Sequence, residues 1–377
     1  MKPSADFSTF KHAMPFWSSL LLVPVIVLAT IKGGAWLALP PLATWTLFAL
    51  LDGVFGKDED NPASEATDDA LFYYRLITLI WLPVQMALLV WMLTYVPGAA
   101  HLSVFGKFAA FFGMGIVAGT VGINYSHELM HQTNRGERWL ADLLLASVLY
   151  SHFRSEHLLV HHRYVGTPRD AVTARYNEGF HRFFVRVIPE CFWSALAAEK
   201  AMLARKGLPA NHKSNPFWRY AILQIAFVIF AFWIGGFFGV ILFGFQALTA
   251  VWQLELIDYV EHYGLTREHL GEGKYEHVKP RHSWNAPFKV SNWLLINLQR
   301  HSDHHYKPSR RFPLLQTYDA DEAPQLPRGY PVMSVLAMVP PLWRRVMNPR
   351  VRAWRRAHYP HIQDWSAYKA ASNPPPR

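Results

Sequence analysis

Cysteine is nearly absent from this chain: among 377 residues Cys191 is the only one. A lone cysteine excludes an intramolecular disulfide, and equally a built-in four-cysteine iron site or iron–sulfur cluster, so any electrons the protein uses come from outside it. Charge is scarce as well. Asp, Glu, Lys and Arg make up 17% of residues against 51% hydrophobic and 15% aromatic, a balance uncommon in soluble proteins and expected of one that lives partly in lipid. No A-x-A-like cleavage site follows the polar stretch Met1 to Met14, which carries Lys2 and Lys11. The apolar run behind it therefore reads as a retained anchor and not as a secretory signal.

What is present in quantity is apolar length. About 20 apolar residues cross a bilayer as a helix, and six stretches approach or meet that: Phe16 to Ile31, Trp36 to Phe55, Leu71 to Val96, Phe105 to Tyr125, Phe217 to Ile234 and Phe237 to Leu256. Short breaks at Lys32-Gly33-Gly34, Pro97-Gly98 through His101, and Gly235-Gly236 pair them into three hairpins. The expected fold is an all-α integral membrane protein: six transmembrane helices in three hairpins, with a mostly helical cytosolic cap holding a histidine-rich di-metal site. Spans one to four occupy residues 1–126 and a polar segment follows at 127–216. Spans five and six fill 217–260, and a second polar segment with a basic tail fills 261–377.

The net charge of +10 does not point to nucleic acid, because Lys and Arg concentrate in the segments flanking the spans, where the positive-inside rule places them in the cytoplasm. Gly115/Gly119 and Gly235/Gly239 have the G-x-x-x-G spacing that lets helices approach closely. Trp343-Arg344-Arg345 and Trp354-Arg355-Arg356 mix aromatic and basic residues as a segment lying on an anionic membrane surface does. The proline-rich Asn373 to Arg377 reads as disordered.

Histidine carries the strongest signal. Nineteen are present, and nine fall into four short clusters: His127 and His131; His157 with His161 and His162; His262; and His301, His304 and His305. Residues at i and i+3 or i+4 share a helix face, so His127/His131, His157/His161 and His301/His304/His305 are each expected to aim at one point. One metal ion seldom takes more than six ligands, so nine imidazoles suit two ions better than one. Imidazole accepts iron, zinc, copper and nickel alike. Glu128, Glu156, Asp170, Glu261 and Asp303 stand near enough in sequence to orient ligand imidazoles through their free N–H groups.

His127-Glu128-Leu129-Met130-His131 is literally the H-E-x-x-H of zinc proteases. A protease, however, needs one zinc and three protein ligands, which leaves six clustered histidines without a role, and zinc has no redox chemistry. A pair of irons gathers two electrons and handles O₂, as insertion of oxygen into a C–H bond demands. The glutamate and E-x-x-H ligand set of carboxylate-bridged di-iron bundles is not the pattern here. A membrane binding protein without catalysis is the remaining alternative.

The residues from Asn124 to His131, Glu156 to His162 with Thr167-Pro168-Arg169-Asp170, Tyr259 to Leu265, Pro280 to Asn285 (PRHSWN) and Leu298 to His305 (LQRHSDHH) resemble the alkane 1-monooxygenases. These belong to a wider membrane histidine-box group with fatty-acid desaturases and xylene monooxygenases. Ala323 to Tyr330, Pro341-Leu342-Trp343 and Met347-Asn348-Pro349 look like that family too. The resemblance implies a six-helix bundle with a cytosolic cap in a bacterial inner membrane, two non-haem irons on the nine histidines, and O₂-dependent hydroxylation of a terminal alkane carbon. It further implies electrons from rubredoxin, itself reduced by an NADH-dependent rubredoxin reductase. Gln132, Val160 and Asp258 depart from the family pattern at positions often held by lysine, glycine and asparagine. An alkane has no polar handle, so an apolar channel must orient it, and spans two, four and six near their cytoplasmic ends are the expected walls. The lining residues themselves cannot be named from sequence.

Overall fold

A computed structural model describes residues 9–365; residues 1–8 and the stretch Asn373 to Arg377 lie outside the described residues. Five helices are long and apolar enough to cross a membrane: α1 (Phe10–Lys32), α2 (Gly34–Phe55), α3 (Phe72–Tyr95), α4 (Val104–Met130) and a 47-residue helix running Pro216–His262. Two shorter helices, α5 (Arg135–Ala146) and α6 (residues 153–164), and the long α7 (Phe180–Arg205) separate α4 from the last of these, which is α8. After α8 come a two-stranded hairpin, β1 (His269–Gly271) with β2 (Lys274–Tyr275), and α9 (Lys289–Leu294), α10 (His301–Tyr306), α11 (Tyr330–Ala337) and α12 (Pro340–His358). The fold is mostly helical, and the small antiparallel hairpin, with His269 opposite Tyr275, is a departure from the all-α expectation.

Gly236 breaks α8 in two, with φ 62° and ψ −164°, a conformation that glycine reaches without a Cβ penalty. The break falls where the sequence separates its fifth and sixth apolar stretches. Asn215 caps the first arm by accepting from the Phe217 amide at 3.1 Å, with Pro216 at the first helical position. Large apolar side chains near the break stay exposed, Trp233 at 83% and Phe237 at 74%, which suits contact with lipid tails.

The second arm of α8 lies against α4 through the glycines the sequence flagged. A Cβ on Gly115 would sit 2.5 Å from Thr249 Cβ, and one on Gly119 2.7 Å from Gln253 Cβ. Close approach of these two helices fixes where the C-terminal ends of both emerge, and those ends carry His127, His131 and His262.

A second apolar core joins α7, the end of α8, α11 and α12, with Phe180, Phe183, Tyr259, Tyr263 and Met333 buried. Trp343, Met347, Val351 and Trp354 recur at helical spacing along one face of α12 and are buried there. This corrects the membrane-surface reading of the two tryptophans. The Trp343 ring packs 5.2 Å from Tyr259, and the Trp354 indole N–H donates to the Arg281 carbonyl at 2.9 Å.

Candidate metal centre

Every one of the nine clustered histidines comes from the end of a long apolar helix or from one of the shorter helices, and they assemble into two groups. His127, His131, His157, His162 and His304 form one; His161, His262, His301 and His305 form the other. Within each group one nitrogen per ring lies within 4.8 Å of all the others.

The detail of that partition differs from the spacing argument. His157 and His161 were expected to aim at one point, yet they belong to different groups. Residues His157–His161 form a turn of π-helix, in which the His162 amide donates to the His157 carbonyl. That wider turn brings i and i+5 together instead of i and i+4, so the His157 and His162 Nε2 atoms meet at 2.9 Å while His161 turns to the second group. In α10 one turn feeds both sites as well: His301 and His305 pair at 3.0 Å, and His304 reaches across to His162 at 3.1 Å.

Eight of the nine rings bring Nε2 within 3.2 Å of another ring's Nε2. His127 lies 2.9 Å from His157, His161 lies 3.2 Å from His305, and His262 lies 3.1 Å from His301. A neutral imidazole has one N–H and one lone pair, so converging chains of such contacts cannot all be hydrogen bonds. His161 makes the point. Its Nδ1 is 3.0 Å from Asp170 Oδ2, which assigns the proton to Nδ1 and leaves the Nε2 lone pair turned on His305. Donors bound about 2.1 Å from a shared ion sit roughly 3 Å apart, which is the spacing observed. Burial holds the imidazoles of His157, His162, His301, His304 and His305 well below the ordinary histidine range, and that of His131 down to about 3. They are neutral at physiological pH, as metal ligands must be. The donor set fits two metal cations.

The five carboxylates divide. Asp170 braces His161 and is itself held by the Thr173 hydroxyl at 2.7 Å and the Val172 amide at 3.1 Å. Glu261 points at the site directly, with Oε2 3.2 Å from His301 Nε2. Glu156 is fully buried with neither oxygen partnered, and burial, with Asp170 and Glu255 nearby, pushes its carboxyl well above the usual range. Asp303 and Glu128 turn elsewhere. Asp303 accepts from Arg310 at 2.5 Å, the Tyr318 hydroxyl at 2.7 Å and the Gln316 amide at 3.0 Å. Glu128 accepts from Gln132 at 3.1 Å and stands 4.0 Å from Arg311. A guanidinium nearby outcompetes a neutral ring for a carboxylate, because a charge-assisted bond is the stronger one.

Other residues hold the site without having been singled out for it. Asn285 accepts from the Ser302 amide at 2.9 Å and its Nδ2 approaches the Ser302 hydroxyl at 2.5 Å, tying the PRHSWN stretch to α10. Asp52, buried at the end of α2, accepts from the Val290 and Ser291 amides at 2.8 Å each and so caps α9. A buried acid inside an apolar run was the available signal. Cys191 is buried too, and its thiol is pushed well above its ordinary range by that burial, which leaves it unreactive.

A cavity leads to the histidines. Trp45, Ile123, Leu254, Ile257, Leu294, Leu295 and Leu298 line it, and His127, His157 and His301 stand in its wall. The second, fourth and sixth apolar stretches contribute, as the sequence suggested, together with α9 and α11, which it did not.

Residues 101–337 match the fatty acid desaturase family model. The chain is 41% identical over 324 residues to alkane 1-monooxygenase 2 of Pseudomonas aeruginosa, covering 85% of each. It is 37% identical over 355 residues to alkane 1-monooxygenase 2 of Alcanivorax borkumensis, covering 90% of each. It is 27% identical over 341 residues to the xylene/toluene monooxygenase hydroxylase component of Pseudomonas putida, covering 88% of each.

Proposed function

This chain belongs to the alkane 1-monooxygenase family, and from that premise we propose that it hydroxylates the terminal carbon of an alkane to a primary alcohol at two non-haem irons. The observation that carries the reading is the meeting of nine imidazoles, seven buried and two partly buried, in two groups beside an apolar cavity. Iron bound there supplies the redox chemistry, gathering electrons and activating O₂.

The protein's own part is positioning and exclusion. Leu254, Ile257, Leu294, Leu295 and Leu298 offer a hydrocarbon wall, so the substrate is selected by shape and directed end-on toward His127, His157 and His301. Asp170 holds the His161 ring in one tautomer. Burial keeps water from the reacting carbon. Glu261, beside His301, adds a carboxyl group at the centre.

In this reading the two arms of α8 cross the bacterial inner membrane separately, giving six crossings, with both termini and the metal centre in the cytoplasm. Electrons arrive from rubredoxin, reduced in turn by its NADH-dependent reductase. With no cysteine cluster of its own the chain needs such a carrier, and a net charge of +10 favours an acidic one.

The test is to load the protein with iron, supply rubredoxin, its reductase, NADH and a medium-length alkane, and identify the product by mass spectrometry. A primary alcohol supports the reading. An alkene would move the protein to the desaturases, and benzylic oxidation of xylene with no alkane product would move it to the xylene hydroxylases.

A further inference from the structure

Exposed apolar surface is not confined to the five long apolar helices. Helix α7 is not one of them, yet on it Val185 is 74% exposed, Trp193 63% and Phe192 38%. Pro189 is exposed as well and Leu196 half-buried. Spaced by three and four residues, these five make one stripe along the helix. The opposite face, with Phe180, Phe183, Val187, Cys191 and Ala195, is buried. A helix that is apolar on both sides is built to be covered on both sides, and a continuous exposed stripe of large apolar side chains marks a contact.

Its surroundings say what covers it. The Phe192 ring meets Phe217 edge-on at 5.7 Å, and Phe217 opens the apolar run of α8, so the stripe joins the surface of a membrane-length helix at its start. Trp218 beside it and Trp139 on α5 are 54% and 50% exposed, and the Arg219 guanidinium lies 5.3 Å over the Trp139 ring. Tryptophans gathered at the end of an apolar run are typical of the membrane–water boundary. Arg182 and Lys200 stand in line with the stripe at its two ends, both exposed. The ion pairs of α7 are made by Arg186 instead, to Glu178 and Glu190, and Arg182 and Lys200 have no carboxylate partner among the described residues. Long cationic side chains so placed lay their stems on apolar surface and reach lipid phosphates with their charge.

The stripe also continues round the molecule. His181 Nε2 lies 3.0 Å from the Met338 carbonyl, at the end of α11. Val332, Val335, Val339 and Leu342 recur there at three- and four-residue spacing and are 38% to 49% exposed. Helix α11 in turn packs against α2, whose Leu47 and Leu50 are 49% and 64% exposed.

We infer that α7 and α11 lie in the headgroup region of a phospholipid bilayer, forming a collar around the ends of the apolar helices, with Val185, Phe192 and Trp193 among the acyl chains and Arg182 and Lys200 at the phosphates. A second copy of the chain would cover one side of the molecule, whereas a lipid surface covers α7, the start of α8, α11 and α2 together. The inference rests on the membrane reading alone and is independent of the hydroxylase one. It places lipid behind the metal centre, because the buried side of α7 backs α6: the Ser155 hydroxyl donates to Glu199 at 2.5 Å, two residues before His157.

Site-directed spin labelling of the full chain in nanodiscs of phosphatidylethanolamine and phosphatidylglycerol tests this. Cys191 is the only cysteine and is buried, so a Cys191→Ala background takes single labels. Val185→Cys and Trp193→Cys probe the stripe. Ile225→Cys on α8, at a position 58% exposed, gives the lipid reference, and Lys274→Cys on the hairpin, at a side chain 75% exposed, gives the water reference. Power saturation with oxygen and with a nickel chelate reads the depth of each label. The two stripe labels should lie about 5–10 Å inside the phosphate plane, with an oxygen-to-nickel accessibility ratio several-fold above that at Lys274. Stripe labels as open to nickel as the one at Lys274 would overturn the inference, since α7 would then stand in water. Labels closed to both reagents would overturn it too, because protein and not lipid would cover the stripe. Val185→Cys is a small change at an exposed position, so it decides the matter if Trp193→Cys folds poorly. A label at Ile225 as open to nickel as the one at Lys274 would remove the membrane reading itself, and the collar with it.

Discussion

Neutral imidazoles turned face to face are what make the centre able to hold metal, and their protonation sets its limits. His131 is held at about 3 by burial, against 6.5 for an exposed histidine. As pH falls below about 6.5 the unfolded chain takes up protons that the folded chain refuses, so stability rises with pH across that window and is lost on acidification. Thermal unfolding of metal-free protein in detergent should therefore show a lower midpoint at pH 5.5 than at pH 8; an equal or higher midpoint would contradict the buried, neutral rings. Single ligands have a local signature. His305→Ala should lower bound metal by roughly half while leaving the other group loaded, because the two groups share no ring. Asp170→Asn keeps the shape but weakens the hold on His161 Nδ1, and metal affinity measured by chelator competition should drop about 10- to 100-fold. The same substitution strategy applied to Asp303 should spare metal affinity and act on the loop that Arg310 and Tyr318 hold.

Helices deliver these side chains, and at this scale the sequence was readable in part. The fourfold clustering of His127 to His305 picked out the nine rings that the fold gathers, because 3- and 4-residue spacing is visible in a string of letters. Their allocation between two groups was not visible, since it depends on a π-turn at His157–His161 that no local residue preference announces. In the same way, Trp343 and Trp354 beside paired arginines read as a surface segment. The core they fill is made by Tyr259 and Tyr263 on a helix far away in sequence. The Gly115/Gly119 pair was legible as a close-packing signal, and α4 against α8 uses it. Gly115→Val would drive its side chain into Thr249 and the Gln246 carbonyl, 2.6 Å from the Cβ position. It should reduce heat stability and bound metal together, whereas Gly244→Ala, with open space around it, should change neither. Equal behaviour of the two variants would remove α4–α8 contact as the element that aligns the ligands.

Across the whole molecule, long apolar helices and an apolar cavity lead to the two groups of imidazoles. Trp45 is the largest side chain lining the cavity, and its ring meets Trp252 edge-on at 6.0 Å. Trp45→Ala lengthens the available space, so the preferred alkane should become longer when a series of chain lengths is compared under equal turnover conditions. A uniform loss across the series would indicate damage to packing. We propose that the two separate groups of imidazoles each bind an iron. Iron K-edge X-ray absorption on quantified, iron-loaded protein tests it most directly. About two irons per chain are expected, with a nitrogen-dominated shell near 2.1 Å. One iron per chain, or a shell dominated by oxygen, would contradict it.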